Sequence, residues 1–204
     1  MKIILGSSST IRAQILSHGL NAPVHVAKPD IDERAIRRPN VEHMVRDIAR
    51  AKADALLERY HDQYKQQQAV LITADQVVLC DDKVLEKPAD ADEARAYITM
   101  YAACPPTTVG ACVLTDTVTM QRFEARDRAT VYFSPIPDET VTALIDQGDI
   151  FYCAGALMVE HELVQPHITH MDGSLDTVQG LSMDTVKRLL DELTRARAAK
   201  SPPP

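Results

Sequence analysis

Four charged side chains and a run of hydroxyls break the apolar patterning around them. Asp75 stands between Val70-Leu71-Ile72-Thr73 and Val77-Val78-Leu79-Cys80, where a strand would otherwise continue inward, with Gln76 beside it. Lys52 lies four residues from both Ile48 and Leu56, on the apolar face that Val45 and Ala49 also occupy, because residues four apart share one side of a helix. A lysine there either snorkels along its aliphatic stem or meets an anion. Arg12 falls in the first turn of a helix, where a cation opposes the macrodipole at a cost of roughly a few tenths of a kcal/mol unless an acid or a bound phosphate offsets it. Just before it, Ile3-Ile4-Leu5 gives way to Gly6-Ser7-Ser8-Ser9, a strand-loop-helix entry whose free N–H groups favour an anion. Lys87 precedes Pro88 in a loop, and Asp30-Ile31-Asp32-Glu33 makes an acidic loop after Pro29. Cations that grip phosphate oxygens and a carboxylate that can take a proton from water are the parts of a nucleotide-hydrolysing pocket. Each feature also has a plainer reading: Ser9 or Thr10 as a helix cap, Asp75 as a turn or bulge aspartate, a solvated acidic loop. No Gly-Lys-Ser/Thr follows the first turn, which excludes a nucleoside-triphosphatase P-loop.

The elements that must position these groups alternate. The pattern predicts a strand near 2–6, a helix over 10–18 stopping at Gly19, a strand near 23–27 and a long helix from an Asn40 cap to about Tyr64. Two short strands, 70–73 and 77–80, flank Asp75, and Asp81-Asp82 turns into Lys83-Val84-Leu85. Asp90 and Glu93 form a capping box for a helix to about Tyr101, which carries Tyr97 and Tyr101 as core residues. Strands over 107–116 and 121–134, a short helix from Pro137-Asp138 to Gly148, an extended stretch over 153–170 and a last helix capped by Ser182 complete the chain. This is α/β writing, and the long alternating strands predict a mixed, partly antiparallel sheet flanked by helices. At 204 residues the chain can bury its core as one domain over 1–200, or as two lobes around a cleft, with 201–204 a frayed Pro-rich tail.

A net charge of −7 argues against general affinity for nucleic acid. Cys80, Cys104, Cys112 and Cys153 show no Cys-x-x-Cys spacing, and neither a leader nor a long apolar span is evident, which points to a reduced, soluble, cytoplasmic setting without staples or membrane contact. His167 and His170 cannot share a metal if their segment is a strand, since residues three apart face opposite ways.

With these residues in view, the chain resembles the Maf family of nucleotide pyrophosphatases over nearly its whole length. Leu5-Gly6-Ser7-Ser8-Ser9-Thr10-Ile11-Arg12-Ala13 is similar to the family's N-terminal signature, and Pro29 to Glu33 to its acidic loop. Ala49 to Ala53 resembles its helix lysine block, Ala74-Asp75-Gln76-Val77 its aspartate strand and Leu85-Glu86-Lys87-Pro88 its Gly-Lys-Pro loop. Cys153-Ala154-Gly155 through Glu160 and Val178-Gln179-Gly180-Leu181 are similar to its C-terminal blocks. Thr10, Ala13, Val109 and Ser182 depart from the usual pattern.

The resemblance implies a fold akin to inosine triphosphate pyrophosphatases and cleavage of a nucleoside triphosphate to monophosphate and pyrophosphate with Mg²⁺ or Mn²⁺. Members are often dimeric, so a homodimer is among the assemblies it allows. Carried onto this sequence, Asp75, Lys87, Lys52 and Arg12 are the catalytic set, converging on one cleft. Ser7, Ser8, Ser9, Gln76 and Glu160 contact substrate, and Glu33 with Asp75 holds the metal. Asp75-Gln76-Val77, Cys153-Ala154-Gly155 and Glu160 side with the branch that prefers 7-methyl-GTP over the one that prefers dTTP and UTP. The other readings are a nucleotide-binding regulator of division that senses without cleaving, and a protein-interaction module.

Overall fold

The computed structural model describes residues 2–200, so the Pro-rich tail expected at 201–204 lies outside the described residues. In chain order the elements are β1 (Ile3–Gly6), α1 (Thr10–Leu20), β2 (His25–Ala27), α2 (Val41–Gln66), β3 (Val70–Cys80), β4 (Lys83–Leu85), α3 (Ala91–Met100), β5 (Thr107–Asp116), β6 (Arg122–Phe133), α4 (Asp138–Gln147), β7 (Ile168–Asp172), α5 (Leu175–Val178) and α6 (Met183–Lys200). Six strands follow the order β2-β1-β3-β5-β6-β7, and β4 pairs with β3 off this path. The β1 pairings with β2 and β3 are parallel, whereas β3 with β4 and β6 with β7 are antiparallel. The sheet is therefore mixed, as its alternating strands predict.

The chain divides into two compact units. One is built from the chain up to Asp75, Gly110–Asp127 and the chain from Gly180 on; the other from Gln76–Val109 and Arg128–Gln179. Strands β3, β5 and β6 each pass from one to the other.

In the first unit the pleat sorts side chains onto two faces, since successive residues of a strand point opposite ways. Ile3, Leu5, Val70, Ile72 and Ala74 pack with Leu16 of α1 and Val186, Leu189 and Leu193 of α6. Ile4 and Leu71 pack instead with Ala53, Leu56, Leu57 and Tyr64 of α2. Gly6 sits where β1 runs closest to its neighbours: a Cβ there would lie 2.6 Å from Thr73 Cγ2 and 2.7 Å from Leu56 Cδ1. The core of the second unit gathers Val78 and Leu85 with Ala94, Tyr97, Ile98 and Tyr101 of α3 and Val141 and Leu144 of α4.

The caps fall where they are expected. Ser9 Oγ accepts from Arg12 N–H, Asn40 Oδ1 from His43 N–H, Asp90 Oδ1 from Glu93 N–H and Ser182 Oγ from Thr185 N–H. Glu93 completes its capping box through Ala89 N–H. Four expectations fail. Helix α1 runs through Gly19 and stops one residue later, where Asn21 takes the left-handed conformation that closes a C-terminus. The two short strands around Asp75 are one continuous strand, so Asp75 is not a turn residue. The stretch 153–170 is not extended: 3₁₀ turns occupy Ala154–Ala156 and Gln165–His167, and only Ile168–Asp172 is strand. Cys80 and Cys104 are joined by a disulfide, their Cα atoms 5.8 Å apart, because the end of β3 and the segment after α3 come together at disulfide span.

Candidate active site

Strand alternation explains how the first unit assembles its charges. Leu71, Thr73 and Asp75 occupy one face of β3, the face that meets α2. Thr73 Oγ1 donates to Ala49 O at 2.7 Å, anchoring strand to helix one turn before Lys52. Lys52, only 5% exposed, then reaches Asp75, 7% exposed, with Nζ to Oδ1 at 2.8 Å. The same ammonium lies 3.0 Å from Glu33 Oε1 and donates to Ala74 O at 3.3 Å. Its three N–H groups thus have three acceptors, and the anion alternative for this lysine is the observed one.

Arg12 completes the group. Its Nε donates to Gly180 O at 2.9 Å and its Nη1 to Ala74 O at 3.2 Å, so its backbone sits in a first helical turn that has no acid while its head is held by two carbonyls. Burial lowers the Arg12 pKa against the opposing fields of Asp75 and Glu33. Burial likewise raises the Asp75 carboxyl above its ordinary value; Lys52 and Arg12 pull it back without cancelling the rise, and Glu33 adds to it. A buried carboxylate with a raised pKa, paired with one cation and in the field of a second, is an able proton acceptor.

The serine loop is partly committed to its own backbone. Ser7 is buried and accepts from Ser9 N–H, Ser9 caps α1, and Ser8 is exposed. In the second unit, Gln76 Nε2 donates to Val178 O at 2.8 Å and Thr177 O at 3.4 Å, so its amide clamps the chain after β7. Lys87 is exposed. Its field and that of Glu160 oppose each other at Cys153: burial, with Glu160 adding to it and Lys87 opposing, holds that thiol up at about 11. Of the four side chains expected to converge, Arg12, Lys52 and Asp75 meet within the first unit, with Glu33 added; Lys87 and Glu160 belong to the second.

Two carbonyls, Ala74 O and Gly180 O, take part without having been singled out by sequence; Gly180 falls in the Val178-Gln179-Gly180-Leu181 block, where its role could have been sought. No group of three or more His, Cys, Asp or Glu side chains among the described residues is placed to hold a metal. His170 pairs with Asp172 and its ring lies on Tyr132, whereas His167 ends a 3₁₀ turn, so the strand alternation expected to separate the two rings does not apply. No helix among the described residues is long and apolar enough to cross a membrane.

The sequence model of the Maf-like proteins matches residues 2–193. A 7-methyl-GTP pyrophosphatase of Dictyostelium discoideum is 34% identical over 195 residues, 95% of this chain and 98% of its own. A nucleoside triphosphate pyrophosphatase of Salinispora tropica is 29% identical over 95% of this chain and 84% of its own, and a dTTP/UTP pyrophosphatase of Bdellovibrio bacteriovorus 29% over 93% and 97%. Among solved structures, a HAM1 protein from Coxiella burnetii overlaps 66% of this chain and 73% of its own at 13% identity and a TM-score of 0.42. That overlap is too partial to carry the fold assignment, which rests on the sheet itself.

Proposed function

We propose, because this chain belongs to the Maf-like protein family, that it is a nucleoside triphosphate pyrophosphatase, a hydrolase that cleaves the α–β phosphoanhydride, with 7-methyl-GTP as its preferred substrate. The observation that carries this reading is the Lys52 ammonium held between Asp75 and Glu33 with Arg12 on the adjoining carbonyl. A pure sensor needs a phosphate clamp but has no use for a carboxylate buried against it.

In this reading Asp75 takes the proton from water as the water oxygen bonds to the α-phosphorus, and the bridging oxygen leaves with the pyrophosphate. Lys52 and Arg12 neutralise the charge that builds on the departing group, worth about 2.7–4 kcal/mol for one well-placed donor. The Ser7–Ser9 loop and the start of α1 receive phosphate oxygens. Lys87 adds a further cation, and Glu160 accepts from a guanine N1–H and amino group while offsetting the charge of a methylated ring. Gln76 contributes by holding residues 177 and 178.

Glu33 and Asp75 are the carboxylates that would hold Mg²⁺ or Mn²⁺. Their oxygens already converge on one cationic point, Lys52 Nζ, and two carboxylates suit a hard cation that completes its shell with substrate phosphates. When bound, such a cation supplies charge neutralisation on those phosphates. The cytoplasm is the compartment we assign, on the ground of its nucleotide substrate alone.

The test is pyrophosphate release from 7-methyl-GTP, GTP, dTTP and UTP by purified protein with Mg²⁺ or Mn²⁺. The expected result is fastest release from 7-methyl-GTP. Faster turnover of dTTP and UTP would transfer the chain to the pyrimidine-preferring reading, and nucleotide binding without release would make it a sensor.

A further inference from the structure

The segment carrying Lys87 and the segment carrying Glu160 are tied together at Gly155, and a tyrosine outside both holds that tie. Gly155 N–H donates to Glu86 O at 2.9 Å, which fixes the residue just before Lys87. On its other side, Gly155 C=O accepts from the Tyr101 hydroxyl. Tyr101 is 1% exposed and its ring stacks on Phe133 with centroids 5.7 Å apart, so its hydroxyl is aimed by the second unit's core and not by either loop. A side chain would crowd the junction: Gly155 has φ +64, and a Cβ there would lie 2.6 Å from Tyr101 Oη and 3.1 Å from Val78 Cγ1. Beyond the tie, the field of Glu160 raises the Cys153 thiol and that of Lys87 lowers it.

We propose that Tyr101 is a positioning residue that sets the spacing between Lys87 and Glu160, and through that spacing the enzyme's choice of base. The proposal rests on the functional reading above for what those two side chains do. A nucleotide held at its phosphates by one and at its base by the other is read by the distance between them, and misplacement by about 1 Å far from the chemistry is enough to cost on the order of a hundredfold. Tyr101 touches neither end of the substrate in this account; it acts through Gly155 and Glu86.

Tyr101→Phe removes one hydroxyl and keeps the ring on Phe133. The expected result is a fall of about tenfold in the ratio of kcat/KM for 7-methyl-GTP to that for dTTP, carried by KM for 7-methyl-GTP, with faster hydrogen exchange at the Gly155 amide in the free protein. Val141→Ala serves as the control: it thins the same core away from the Tyr101 ring and lowers Tm, but leaves both the ratio and that amide unchanged. If Tyr101→Phe keeps the wild-type ratio and the wild-type Gly155 exchange, Tyr101 is a core residue only and the inference falls. If the wild-type protein hydrolysed neither nucleotide, the functional reading would fail, and the exchange measurement would still decide the tie, an unchanged Gly155 amide overturning it.

Discussion

Lys52 and Lys87 are both assigned phosphate charge, yet they are kept in place by opposite means. Lys52 is buried, and its ammonium hydrogens are shared among Asp75, Glu33 and Ala74, so each charged group of the first unit is a structural partner of the next. Lys87 is exposed, on a loop whose path is set by a backbone hydrogen bond from Gly155 to Glu86 and by the Tyr101 hydroxyl beyond it. The contrast teaches that deleting a charged side chain of the first unit also deletes a structural partner of the next, whereas Lys87 can be deleted without that loss. A buried ion pair is weak evidence for stability as such, because desolvation offsets most of its attraction, but removing one member strands the other.

The largest effect should come from Asp75→Asn. This change keeps shape and an acceptor for Lys52 but removes the proton acceptor, so kcat should fall by about 10²–10⁴ while nucleotide still binds, as checked by turnover alongside equilibrium titration. Unchanged turnover would remove Asp75 from the mechanism. Next comes Lys52→Met, which leaves Asp75 buried with Arg12 nearby but no direct ion partner. Stability should drop by about 3 kcal/mol in denaturant titration, and part of that loss should return when Asp75→Leu is added. For contrast, Lys87→Ala should cost about a hundredfold in kcat/KM with Tm unchanged. A Tm drop as large as that of Lys52→Met would erase the distinction between the units.

The pH dependence sharpens the same point. Because the Asp75 carboxyl is raised in the folded protein, the acidic limb of the kcat/KM profile should lie above the ordinary carboxylate range and vanish in Asp75→Asn. The sign for stability is the reverse of the usual carboxylate case: the folded protein binds this proton more tightly than the unfolded chain, so stability contributed by Asp75 declines as pH rises from its ordinary value through the raised one.

Much of this was legible in the residues. The position of Lys52 on the apolar stripe of α2 narrows it to snorkelling or meeting an anion, and the Ser9, Asn40, Asp90 and Ser182 caps fall where side-chain chemistry requires them. The continuity of β3 was not legible, because Thr73, Asp75 and Gln76 look polar enough to end a strand. Their partners on α2 and after β7, which satisfy them, are supplied by tertiary structure alone. Had the strand been taken as unbroken, its two-residue period would have turned Asp75 toward Lys52. The 3₁₀ turns from Ala154 on and the left-handed Gly155 follow from contacts with Tyr101 and Glu86 that no local pattern records. The Cys80–Cys104 bridge depends likewise on how β3 and the segment after α3 meet.

The smallest expected effect comes from a second buried aspartate of the first unit, and it tests whether burial alone explains Asp75. Asp116 is 2% exposed, and burial pushes its carboxyl up as it does at Asp75. Here the donors win: Arg197 approaches through Nη2 at 2.7 Å and Nε at 3.0 Å, Val118 N–H and the Thr119 hydroxyl add two more bonds, and the carboxyl is held down at about 2. A forked guanidinium matches both carboxylate oxygens where the single ammonium of Lys52 meets one. A depressed carboxyl contributes stability that is present above its ordinary value of 3.8 and is lost as pH falls toward about 2. The shift corresponds to about 2 kcal/mol, so Asp116→Asn should lower stability at pH 7 by about that amount, leave kcat unchanged and flatten the acid-unfolding curve between these two values. Loss of activity in Asp116→Asn at full stability would show that the first unit's charged centre extends to α6, and that donor geometry is not what separates the two aspartates.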